Sequence, residues 1–109
     1  MKSLNRNEFV NELDRILGRI YDYIEENHEL SISADYSGEL NHYTFYFPSK
    51  GEYNPEIASL FIRRLRKYSL EAYDILSNEG SNEDLDPIRI IVGVLQLVAK
   101  RIARPVSKG

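Results

Sequence analysis

Apolar residues recur along this chain at two different periods, and the changes of period divide it into five elements. Phe9, Val10, Leu13, Ile16, Leu17, Ile20 and Ile24 fall at helical spacing within one face of about 100°. Asn5 or Asn7 is placed to cap that helix, which is expected to run to about Asn27. Glu8, Glu12, Arg15, Arg19, Asp22 and Glu26 lie opposite. Both charge signs recur there at three- and four-residue spacings, the pattern of a solvated, lightly salt-bridged surface.

Period two takes over at Leu30, where Leu30, Ile32, Ala34 and Tyr36 alternate with Ser31, Ser33 and Asp35 as in a half-buried strand. Residues 37–41, SGELN, supply turn chemistry. His42 to Phe47 then reads as a second strand, with Tyr43, Phe45 and Phe47 on one face and His42, Thr44 and Tyr46 on the other. The pair predicts a hairpin. Two strands alone are marginal in water, so the aromatic face must lie on the helices, or the hairpin must extend a sheet in a partner or a second copy.

Pro48, Gly51 and Pro55 bracket a loop. Asn54-Pro55-Glu56 then combines a cap, a preset backbone angle and an acid at the positive end of a helix dipole. Ile57, Phe61, Leu65, Tyr68, Ala72 and Ile75 or Leu76 keep near one face, which predicts one long helix to about Asn78, a break near Ser69 being the alternative. An acidic loop, EGSNEDLD, follows over residues 79–86.

The last segment, DPIRIIVGVLQLVAKRIARP from Asp86 to Pro105, begins with a capping acid and a first-turn proline and ends at a second proline. Ile88, Ile91, Val92, Leu95, Val98, Ala99 and Ile102 form one face, and Ile90, Val94 and Leu97 widen it to about 220°. An ordinary surface helix shows a stripe of little more than about 100°. This helix is therefore expected at the centre of the core, covered on more than one side, with a homodimer interface as the rival position. Arg89 and Gln96 interrupt its apolar run well short of the roughly 20 residues of a membrane span.

Together these elements predict one α+β domain over residues 1–109 in the order α-β-β-α-α, its hairpin packed on a small helical bundle, with residues 1–5 and 105–109 as flexible ends. Composition adds three constraints. The absence of cysteine excludes disulfides and thiolate metal sites. The N-terminus lacks the apolar core of a signal peptide, so a cytoplasmic protein without membrane attachment is expected. The net charge of -3 conceals an uneven division: residues 1–54 hold five Lys or Arg against ten Asp or Glu (-5), and residues 55–109 hold nine against seven (+2). A basic surface on an acidic protein is thereby allowed.

Catalytic chemistry finds little support. His28 and His42 are the only histidines, and no Gly-rich phosphate loop, nucleophile elbow or paired-His motif accompanies them. Asp35, Glu39 and His42, near the hairpin end, have the residue types of a metal or acid-base site, but turns carry such residues as solvated groups anyway. The expectation is a non-enzyme with no metal and no cofactor. Eight tyrosines are the stronger feature, and Tyr36, Tyr43, Tyr46 and Tyr53 cluster in and after the hairpin. A ring with a polar tip suits a protein interface. Bases also stack on such rings, yet residues 28–47 contain no Lys or Arg to hold phosphates.

The leading expectation is accordingly a small protein-binding module of adaptor, chaperone or inhibitor type, a homodimer that occupies a partner surface through those tyrosines. The alternative is a nucleic-acid-binding regulator using Arg63, Arg66, Lys67, Arg89, Lys100 and Arg104. On the two C-terminal helices these residues form stripes that join if the helices pack side by side.

Overall fold

The computed structural model describes residues 4–36, 39–47, 52–79 and 85–102 and, within these, the backbone alone of 34–36, 39–41 and 100–102. The elements are α1 (Arg6–Asn27), β1 (Glu29–Tyr36), β2 (Glu39–Tyr46), α2 (Pro55–Asn78) and α3 (Pro87–Ile102). The protein is α+β in the expected order.

Local chemistry sets each helix start. Asn5, and not Asn7, caps α1: its side-chain oxygen accepts from the Glu8 N–H at 2.9 Å, and the Glu8 carboxylate accepts from the Asn5 N–H at 3.0 Å. This reciprocal pair satisfies two otherwise orphaned donors. Asn54 accepts from the Glu56 N–H at 2.9 Å to start α2, and Asp86 from the Ile88 N–H at 3.1 Å to start α3. Helix α1 ends at His28, whose backbone lies in the left-handed region (φ 60, ψ 22). The His28 N–H donates to the Ile24 carbonyl, and its own carbonyl accepts from the Phe47 N–H at 3.0 Å. One residue thus turns the chain from helix to strand and ties down the far end of the hairpin.

The hairpin pairs antiparallel from Glu29↔Tyr46 to Tyr36↔Glu39. Strand β2 begins at Glu39, three residues earlier than the sequence suggests, because residues 39–41 join the ladder. Of the turn expected over residues 37–41, positions 37 and 38 lie outside the described residues. Leu30 and Phe45 are buried on the inner face with Ile32 and Tyr43 half-buried beside them. Ser31, Ser33, His42, Thr44 and Tyr46 face outward.

Helix α2 runs unbroken through Ser69 and lies against both α1 and α3; α1 also meets β1 and α3, and α3 meets β2. Arg6 pairs with Asp74 and Asp14 with Arg66, so α1 and α2 are antiparallel. Between them the Phe9 and Tyr73 rings pack with centroids 4.4 Å apart, and Tyr73 Oη donates to the Leu4 carbonyl at 2.8 Å. Leu4, read from sequence as part of a loose end, is engaged in this seam, and Asn5 is held by its capping bonds to Glu8. Phe61 of α2 meets Phe45 at 5.3 Å and Phe47 at 5.0 Å, which docks the hairpin onto the bundle.

Two faces differ from expectation. On α2 the buried line is Ala58, Leu65, Ser69 and Tyr73, while Ile57 and Tyr68, expected inside, are 46% and 43% exposed, and of the alternatives Ile75 and Leu76 it is Leu76 that packs on the core, with Ile75 57% exposed. Because α2 serves two helices at once, its buried line is the one between them, and the small Ala58 and Ser69 let the neighbours approach. On α3, Ile90, Ile91, Val94, Leu95 and Ala99 are buried, but Ile88 and Leu97 are 57% and 63% exposed. The wide apolar arc of α3 is covered by α1, α2 and β2 over its middle and left open at both margins.

The buried Ser69 Oγ has no hydrogen-bond partner, and the site is helical. Ser69→Ala removes an unsatisfied hydroxyl and improves helix propensity, so urea denaturation should show stabilisation of about 0.5–1.5 kcal/mol. Leu95→Ala, by contrast, should cost about 2–5 kcal/mol by emptying a fully buried position.

Candidate interaction surfaces

The outer face of the hairpin is a polar lattice around one aromatic ring. Ser31 Oγ and Thr44 Oγ1 are 3.0 Å apart and Ser33 Oγ lies 2.8 Å from His42 Nδ1, each pair formed directly across the two strands. Tyr46, next along β2 on this face, is 66% exposed. Cross-strand bonding holds the small side chains flat, so the Tyr46 ring stands as the one large apolar group on that face among the described residues.

The other tyrosines take different places. Tyr43 turns inward and packs half-buried on the core. Tyr53 stacks on His28, with ring centroids 4.3 Å apart and planes 5° from parallel. The Tyr36 side chain lies outside the described residues. Tyr43, Tyr46 and Tyr53 do not share one surface: strand alternation separates Tyr43 from Tyr46, as the strand pattern implies, and Tyr53 is engaged in its stack on His28.

Tyr53 borders a shallow depression with Asp22, Glu25 and Glu26 of α1. Its Oη is buried without a hydrogen-bond partner among the described residues. Desolvation, and secondarily the proximity of Tyr21 and Glu25, push the phenol above its ordinary value.

The basic residues are likewise divided. Arg63 and Lys67 stand exposed on α2 and Arg89 on α3. Arg66 is exposed too, but its guanidinium donates to the Asp14 carboxylate at 2.8 Å, and that bond raises its pKa. Arg66 thus points away from the apolar face of α2, as expected, and in doing so makes a contact across the α1/α2 seam. The Lys100 side chain and Arg104 lie outside the described residues. On α1 the expected light pairing appears as an Arg15–Glu12 ion pair, whose hydrogen bond lowers the Glu12 pKa.

Of the three residues near the hairpin end, Asp35 and Glu39 have side chains outside the described residues, and His42 bonds to Ser33. Among the described residues no group of three His, Cys, Asp or Glu could hold a metal ion, and no helix is long and apolar enough to cross a membrane.

The surface that periodicity missed is the flank of α2 bearing Ile57, Leu60, Tyr68 and Ile75, all at least two-fifths exposed. A signal was present: the expected face, with Ala58 added beside Leu65, Ala72 and Leu76, is wider than a single contact requires. No protein-family model matches this chain, and no curated protein or solved structure is similar to it.

The raised Tyr53 phenol gives a pH signature. Its protonated form is favoured in the fold, so its contribution is complete below the unfolded value of about 10 and is lost as pH rises through the higher folded value. With no tryptophan to interfere, a tyrosinate absorbance titration should show a late component that is reduced in Tyr53→Phe.

Proposed function

We propose that the protein is a non-enzymatic protein-binding module of the cytoplasm, dimeric, which acts by occupying a surface of its partner. The observation that carries this reading is the open outer face of the hairpin. Tyr46 stands 66% exposed above a row of hydroxyl and imidazole groups already fixed by cross-strand bonds. A rigid aromatic anchor on a pre-ordered polar surface gives affinity at little entropic cost. The strand edges beside it offer backbone groups for pairing with an extended segment.

The second reading, a nucleic-acid-binding regulator, draws on the exposed Arg63, Lys67 and Arg89 and is weakened by the engagement of Arg66 with Asp14. The acidic balance of the chain also opposes phosphate binding.

The test is affinity purification of the tagged protein from its host, with half of each sample treated with nuclease. Tyr46→Ser should cut recovery of a nuclease-resistant partner by about tenfold or more, with the circular dichroism spectrum unchanged. Unchanged recovery removes the hairpin from this reading. If the recovered material is nucleic acid, and its affinity falls steeply with salt and with Arg63→Glu, the second reading takes its place.

A further inference from the structure

We infer that two copies of this chain associate through α2, laid antiparallel on α2 of the second copy along the flank Ile57, Phe61, Arg64, Tyr68, Glu71 and Ile75. This inference rests on the dimeric part of the reading above and gives it an interface separate from the hairpin. These positions follow one another at alternating spacings of four and three residues, which keeps them on one line of a helix. Phe61 is half-buried under the hairpin and the other five are exposed.

A closed two-fold contact requires that residue i of one copy meet residue j of the other while j meets i. Any line spaced in this way is symmetric in its positions; here one of the three position pairs is also identical in type, Ile57 with Ile75, and a second, Arg64 with Tyr68, is a cation facing an aromatic ring. Ile57 and Ile75 stand nine residues either side of Arg66, and Arg64 and Tyr68 stand two either side. With the dyad at the level of Arg66, each Ile57 meets Ile75 of the second copy, and each Arg64 lies over the Tyr68 ring of the second copy. The centre is a pair of cation-π contacts and the ends are apolar.

Phe61 falls opposite Glu71. Phe61 is already packed against Phe45 and Phe47. Glu71 of the second copy, one turn from its Tyr68, is therefore free to reach the same Arg64. Within one chain Arg64 and Glu71 are seven residues apart, about 10 Å along the axis, too far to pair.

Arg64 and Glu71 within the line carry opposite charges, with the cations Arg63 and Lys67 exposed beside it, and it is the line itself that argues for the occupant. It matches its own copy, where each charge finds its opposite.

The chain has no cysteine of its own, which makes site-directed cross-linking clean. After subunit exchange, Ile57→Cys mixed with Ile75→Cys should cross-link through a short bismaleimide. Ile57→Cys alone should not, because its two copies would lie about 27 Å apart. Sedimentation equilibrium should give a dimer whose dissociation constant rises about tenfold or more in Arg64→Glu and returns towards the original value when Glu71→Arg is added. All of these positions are exposed, and circular dichroism checks that each variant folds. A dimer lacking the 57–75 cross-link and indifferent to Arg64→Glu overturns this interface and leaves the dimeric reading standing. A monomer at every concentration overturns both, while the hairpin test remains separate.

Discussion

Burial of Tyr73 is the contact on which the bundle depends. A phenol ring brings a large apolar surface into a core, but its hydroxyl cannot be left there unpaired. The Leu4 carbonyl, just before the α1 cap, accepts that hydroxyl while Phe9, one turn into α1, covers the ring. A single side chain therefore fixes the first turn of α1 against the last turns of α2. The flanking pairs, Arg6 with Asp74 and Asp14 with Arg66, lie largely in solvent and contribute more to register than to stability. With α1 and α2 set in register, α3 finds a place against both and buries Ile91 and Leu95.

The opposite end of the bundle is held by His28. Its left-handed backbone turns α1 directly into β1, and an L residue accepts that conformation only when its surroundings insist on it. Here the insistence comes from three sides: the helix-closing bond to Ile24, the bond from the Phe47 N–H and the stack on Tyr53. The segment before α2 is tied to the end of α1 by the same stack, and Phe61 on α2 then meets Phe45 and Phe47. The inner face of the hairpin is spent on this docking, and its outer face remains available for contact.

What could be read from sequence followed from locality. The starts of α2 and α3 are set by Asn54-Pro55 and Asp86-Pro87, whose capping bonds span two residues, so no tertiary knowledge was needed to find them. The hairpin was legible for the same reason, since alternation is a nearest-neighbour property. The facing of α2 was not. Its Ile57–Tyr68–Ile75 line and its Ala58–Leu65 line are both plausible core faces, and the choice between them depends on where α1 and α3 stand. Arg66 failed to reveal itself likewise, because its partner Asp14 is 52 residues away. Alternation set Tyr43 and Tyr46 on opposite faces in advance; what it could not place was Tyr53, whose stack on His28 joins segments far apart in sequence.

The charge division between the halves of the chain survives folding, and the ion pairs show why. Arg6 with Asp74 and Asp14 with Arg66 run in opposite senses, so together they take one acid and one base from each half. These two pairs leave the sequence balance of -5 and +2 between the halves unchanged. On α2 the surplus cations Arg63 and Lys67 flank the apolar line, whereas Arg64 within it is matched by Glu71. This arrangement bears on orientation in the proposed dimer. A parallel pairing of two α2 helices would set Arg64 against Arg64 and Glu71 against Glu71, and like charges brought together out of water are strongly disfavoured. The antiparallel pairing replaces both repulsions with attractions between the same four side chains, so the polar residues in an otherwise apolar line select one of the two ways in which it can be covered.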